Sequence, residues 1–151
     1  MIDVDVRTLH DRVGEELAIS EWHQVSQAMI DQFADTTDDH QWIHVDVRRA
    51  EEESPFKTTI AHGFLTLSLL SPLLRQAVRF SGARLVINYG LNRVRFISPV
   101  PAGARVRGRF SPAAVSDAGG SIQVTWKALL EQEEGGRPCC AAEWIVRYYP
   151  L

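Results

Sequence analysis

Two side chains able to exchange protons at neutral pH, Asp39 and His44, stand five residues apart in the run FADTTDDHQWIHVDVRRA, residues 33–50. Further on, Ile60-Ala61-His62-Gly63-Phe64 places a glycine at the head of an apolar run. A carboxylate to take a proton, an imidazole beside it and a free helix-start N–H are the parts needed to add water across a polarised double bond. Each member alone has a plainer reading. Thr36-Thr37-Asp38-Asp39 makes a helix-ending turn with solvated carboxylates. His44, between Ile43 and Val45, suits a structural hydrogen-bonder in a partly buried place, and Gly63 a tight turn. The chemistry rests on the combination.

The remaining candidates carry less. All five histidines, His10, His23, His40, His44 and His62, fall in the first 62 residues, which puts chemistry in the first half and scaffold in the second. His62 either shapes a pocket or caps the following helix, and His40 belongs in the exposed turn. Arg93 and Arg95 alternate with Val94 and Phe96 on one strand face, suited to solvent or to phosphates. The His and Asp spacings form no recognisable metal-ligand set. The neighbours Cys139 and Cys140 are too close for an ordinary disulfide and lack a second pair for zinc, so they read as half-buried strand residues.

The elements that must position these groups differ between the halves. Met29, Ile30, Phe33 and Ala34 share a helical face behind a Ser26 cap. Residues 46–53 suit a short charged helix capped by Asp46. Residues 63–80, GFLTLSLLSPLLRQAVRF, are apolar nearly all round, which predicts one buried helix, kinked or restarted at Pro72 with Ser71 as its cap. From residue 83 onward, alternation of period two predicts strands over roughly 83–89, 91–98 with 103–115, 121–131 and 139–148. Turn signals at Pro99–Gly103, Ser116–Gly120 and Glu134–Pro138 separate them. An antiparallel sheet wrapped around a central helix follows, an α+β fold in one domain, 1–151. With 16 basic against 19 acidic residues the chain lacks a nucleic-acid footprint. It also has no apolar run of membrane length, and its acidic N-terminus points to the cytoplasm.

Residues 33–50 resemble the hydratase motif of the MaoC-like family, the (R)-specific enoyl-CoA hydratases of hot-dog fold. Phe33 takes the aromatic place of that motif, Asp39 the aspartate, Ile43 the aliphatic, His44 the histidine and Ala50 the small residue. Asp38, Gln41 and Trp42 stand where the motif has Gly, Asn and Pro. The variant Asp-His-Gln-Trp-Ile-His is similar to the NodN-like branch, as are Ala61–Ser68, Asn88-Tyr89-Gly90 and Val94-Arg95-Phe96. The resemblance implies hydration of a trans-2-enoyl-CoA, or the reverse dehydration, with Asp39 and His44 catalytic and the Gly63 N–H facing the thioester oxygen. Ser71 falls where the family often carries a serine near the catalytic pair. It implies a homodimer and an acyl-CoA substrate, with no cofactor or metal beyond the coenzyme A of the substrate. A hot-dog acyl-CoA thioesterase and a non-catalytic acyl-CoA binder are the alternatives.

Overall fold

The computed structural model describes residues 1–151. It opens on a strand, β1 (Ile2–Asp5), and a 3-10 segment, Val6–Arg12, whose start is capped by the Asp5 carboxylate. Two short strands follow, β2 (Ala18–Ile19) and β3 (His23–Gln24). Three helices come next: α1 (Gln27–Thr37), α2 (Trp42–Val45) and α3 (Val47–Glu53). Both caps expected from the sequence are present. Ser26 accepts from the Met29 N–H at the start of α1, and Asp46 from the Arg49 N–H at the start of α3.

The apolar run after Gly63 forms α4 (Gly63–Ser68) and α5 (Leu70–Ala77). The break falls at Leu69, not at a Ser71 cap. Pro72 has no N–H for the Ser68 carbonyl, and its ring crowds that carbonyl, so the disturbance appears one turn ahead of the proline. The helix also ends earlier than the apolar pattern suggests, because Val78–Ser81 leaves it as strand β4, paired in parallel with β1. It is not buried all round. Leu65, Leu69, Leu70, Leu73 and Leu74 enter the core, while Phe64 is 69% exposed and Ser68, Pro72 and Arg75 also face out.

Four long strands complete the chain: β5 (Ala83–Phe96), β6 (Arg105–Asp117), β7 (Ile122–Gln132) and β8 (Pro138–Pro150). The antiparallel sheet has the order β2-β6-β7-β8-β5, with β3 also pairing β6. Residues 83–96 are one strand rather than two, because register shifts near Gly90 absorb the irregularity that reads as a break. The sheet curls around α4–α5, and one cluster of 28 buried residues fills the space between. Trp126, Tyr148 and Phe110 are its largest fully buried side chains, with the Trp126 indole N–H donating to the Tyr148 hydroxyl at 3.2 Å. Cys139 and Cys140 are both buried rather than half-buried, since β8 is an inner strand. Burial pushes their thiols up to about 12 and about 11, which keeps them unreactive. No helix is long and apolar enough to cross a membrane.

Candidate active site

Helix α1 ends because Asp38 adopts a left-handed conformation (φ 58°) that lets the Asp38 and Asp39 N–H groups both close on the Ala34 carbonyl. An aspartate tolerates that conformation better than most residues. The turn delivers Asp39 to the surface end of the site. His40 is held outside it by Asp35 at 2.8 Å and Asp38 at 3.4 Å.

One turn of α2 then carries His44 inward, where it is 7% exposed. Its Nδ1–H donates to the Ile60 carbonyl at 2.7 Å, so in the neutral ring the Nε2 lone pair is left bare. Burial lowers the His44 pKa below its ordinary value, a tendency that the Ile60 hydrogen bond and Asp39 oppose and His62 reinforces. The main chain is held as firmly as the ring. Gln27, at the first turn of α1, donates to the His44 carbonyl at 2.8 Å and accepts from the Thr59 hydroxyl. The Ile60 N–H returns to the Ile43 carbonyl at 3.0 Å.

The third face of the site is the start of α4. Gly63 N–H is among the N-terminal donors that a helix leaves without an internal partner. The reason for glycine here is a close approach. A Cβ at position 63 would lie 3.0 Å from three atoms of the Phe96 ring at the end of β5. His62, which precedes Gly63, is buried against both partners: donor atoms of Asp39, His44 and His62 all lie within 4.8 Å of one another. The His44 and His62 rings stack with centroids 3.8 Å apart and planes 24° apart. Asp39, His44 and His62 are a grouping of metal-ligating types that the sequence spacings did not show.

A family model, the MaoC like domain, matches residues 8–133. The chain belongs to the MaoC-like family. Among its MaoC-like relatives, 3-hydroxyacyl-thioester dehydratase Z of Mycobacterium tuberculosis is 49% identical over 144 residues, covering 95% of each chain. Nodulation protein N of Rhizobium leguminosarum bv. viciae is 49% identical over 153 residues, covering 97% of this chain and 92% of that one. The structure of the R-hydratase PhaJ1 from Pseudomonas aeruginosa superposes with a TM-score of 0.74 at 20% identity, over 92% of this chain and 83% of that one. The antiparallel sheet wrapped on α4–α5 is accordingly the hot-dog fold.

Of the residues singled out in the sequence, the MaoC-like fold brings Asp39 and His44 together and sets Gly63 directly after His62. Ser71 lies two turns further along the central helix. There it lines a cavity of about 250 Å³ with Leu67, Ser68, Asn88, Tyr89 and Trp144, among others, and neither Asp39 nor His44 lines that cavity. Two residues of the site carry no signal of their own in the sequence: Gln27 reads as an ordinary first-turn residue and Phe96 as a strand residue. The sequence leaves His62 between a pocket wall and a helix cap, and its ring lies in the site.

Proposed function

We propose that this protein adds water to the double bond of a trans-2-enoyl-CoA to give the (R)-3-hydroxyacyl-CoA, or catalyses the reverse dehydration. The observation that carries the reading is the apposition of Asp39 and His44, in a chain 49% identical, nearly end to end, to a 3-hydroxyacyl-thioester dehydratase. The (R) hand is taken from the fold shared with an R-hydratase.

In this reading Asp39 accepts a proton from a water whose other hydrogen is held by the bare Nε2 of His44. The oxygen forms a bond to Cβ, and the double-bond electrons move through Cα onto the thioester oxygen, which faces the Gly63 N–H. The proton removed from water is then delivered to Cα by the Asp39–His44 pair, so water is consumed whole and both side chains return to their starting states. Placed acid/base groups of this kind contribute roughly 10²–10⁴-fold. Loss of one donor to the developing oxyanion costs about 10²–10³ in rate. Nothing in these steps calls for a metal, or for a cofactor beyond the coenzyme A of the substrate. Ser71 is assigned to substrate binding from the separate cavity that it lines further along the central helix.

The functional unit in this proposal is a homodimer in the cytoplasm. Strand β5 pairs only with β8 and leaves a 14-residue edge open. Along it Leu85, Val86, Ile87 and Tyr89 are 49, 50, 40 and 54% exposed. A long apolar edge invites aggregation unless another strand covers it, and the same edge of a second copy matches it in length.

The deciding experiment follows loss of the enoyl-thioester absorbance with crotonyl-CoA and a longer enoyl-CoA, beside Asp39→Ala and His44→Ala. Hydration by the wild type that both variants lose is the expected result, with chiral analysis of the product giving the (R) hand. Release of free thiol would point instead to a thioesterase. Binding without turnover, unaltered in Asp39→Asn, would point to an acyl-CoA binder.

A further inference from the structure

His62 occupies the position before α4 where a side chain ordinarily caps the helix, yet it makes no cap bond. Its ring is turned into the site and is 2% exposed. Its Nε2–H donates to the main-chain carbonyl of Asp39 at 2.9 Å. One ring neighbour is His44, stacked at 3.8 Å, and another is Phe33, tilted at 4.9 Å. A single side chain thus joins α1, the turn that bears Asp39 and the imidazole of α2 to the residue that carries the Gly63 N–H.

Packing alone does not account for an imidazole there. Carbonyl oxygens only accept, so His62 carries its hydrogen on Nε2, and Nδ1 is left buried with no partner. A phenylalanine would fill much the same space without an unpaired buried nitrogen. The two contacts that use the ring are the stack and the Nε2–H bond, and each restrains one member of the pair. His44 is tied at Nδ1 by a single hydrogen bond, which leaves its ring free to rock about its own axis, and the stacked ring removes that freedom. Asp39 sits on an exposed turn with no side-chain partner, and the bond to its carbonyl fixes where the turn stands.

We infer that His62 is a positioning residue of this site: it sets the plane of the His44 ring and the placement of Asp39, so that carboxylate and Nε2 meet one water in a fixed geometry. For its effect on rate the inference rests on the hydratase reading. For its effect on the His44 ring it does not.

Three variants separate the contacts. His62→Phe keeps a ring to stack and drops the donor, His62→Gln keeps a donor and drops the ring, and His62→Ala drops both. With crotonyl-CoA, kcat falls about 10- to 100-fold in His62→Ala, the scale expected of a misplaced catalytic group, and less in the other two. KM stays within about twofold, because substrate contacts are untouched. His62→Phe melts no lower than the wild type, which separates positioning from folding. Ring-nitrogen NMR of His44 is recorded alongside. In His62→Gln and His62→Ala water reaches the His44 ring, and its titration midpoint moves up. The ionisable groups acting on His44 are Asp39 on the turn and His62 just before α4. Asp31 is engaged by Gln27, Asp35 and Asp38 by His40, and Asp46 by the α3 cap. Unchanged kcat with an unchanged His44 titration in all three variants would overturn the inference, as would a kcat loss that merely follows Tm across the series. If the wild type hydrates no enoyl thioester, the hydratase reading falls, while the NMR comparison still decides the role of His62: a moved midpoint upholds it, an unmoved one overturns it.

Discussion

At the scale of single residues, the site works by keeping an imidazole neutral and a carboxylate accessible. His44 is desolvated and spends its only ring hydrogen on the Ile60 carbonyl, so protonating Nε2 places a charge where water is scarce. Two consequences share one sign. The unfolded chain takes up a proton near the ordinary imidazole value of 6.5, while the native protein resists until a lower pH. The stability this represents is therefore complete above about pH 6.5 and is lost as pH falls through the depressed native value. Melting curves between pH 7.5 and 5 should show the wild type losing Tm more steeply than His44→Gln. The acid limb of kcat/KM should correspondingly lie below 6.5, measured on the same preparations. Equal Tm slopes in the two proteins would show that the native ring takes up its proton over the same pH range as the unfolded chain.

At the scale of elements, short helices owe their place to caps and to neighbours more than to propensity. Helix α2 is a single turn and holds His44 because Gln27, Ile60 and Thr59 clamp it from α1 and the loop before α4. Strand β6 shows the same dependence on close fit. Gly108 and Phe110 share a strand face, and a Cβ at 108 would meet the far edge of the Phe110 ring at 2.5 Å. Phe110 is fully buried and has nowhere to swing. Gly108→Ala should cost about 1–3 kcal/mol of stability, read from urea denaturation, while leaving the order of the active-site residues intact. A cost near zero would mean that the core around Phe110 can yield. The Ser20 hydroxyl accepts from the Gly108 N–H, and the Gly108 carbonyl accepts from the Ser20 N–H, so this stretch of β6 is anchored on both its face and its edge.

At the scale of the whole molecule, one edge of the sheet is closed and the other open. Beside β6 the chain lays down β2 and β3, and charged pairs such as Arg109 with Glu16 lie on that side. Beside β5 nothing is laid down. Strand β5 also ends at Phe96, whose ring packs against Gly63, so a partner strand along this edge lies close to the active site. Sedimentation of the wild type at twice the 17.0 kDa chain mass is expected. Leu85→Lys combined with Ile87→Lys should sediment as the single chain, because two copies of the edge would then face like charges. A double-lysine protein that remains a dimer would place the interface elsewhere.

Several features were decided by local chemistry and could be read from the chain alone. The caps at Ser26 and Asp46, the helix-ending turn at Thr36-Thr37-Asp38-Asp39, the alternation in β6, β7 and β8, and the Asp39–His44 spacing each depend on residues within a few positions of one another. The boundaries that differed were set by distant partners. Val78–Ser81 became strand because β1, more than 70 residues earlier, offers it a parallel ladder, and residues 83–96 stayed one strand because β8 runs unbroken beside them. The space for a Cβ at 63 is narrowed by a ring 33 positions away, and His62 joined the site through a carbonyl 23 residues before it. Contacts across such separations leave no periodicity to read, since they are fixed by how the helices seat against the sheet. The sequence by itself therefore determined which groups can do the chemistry. Only the tertiary structure decided how those groups are held, because orientation comes from close packing between segments that are far apart along the chain.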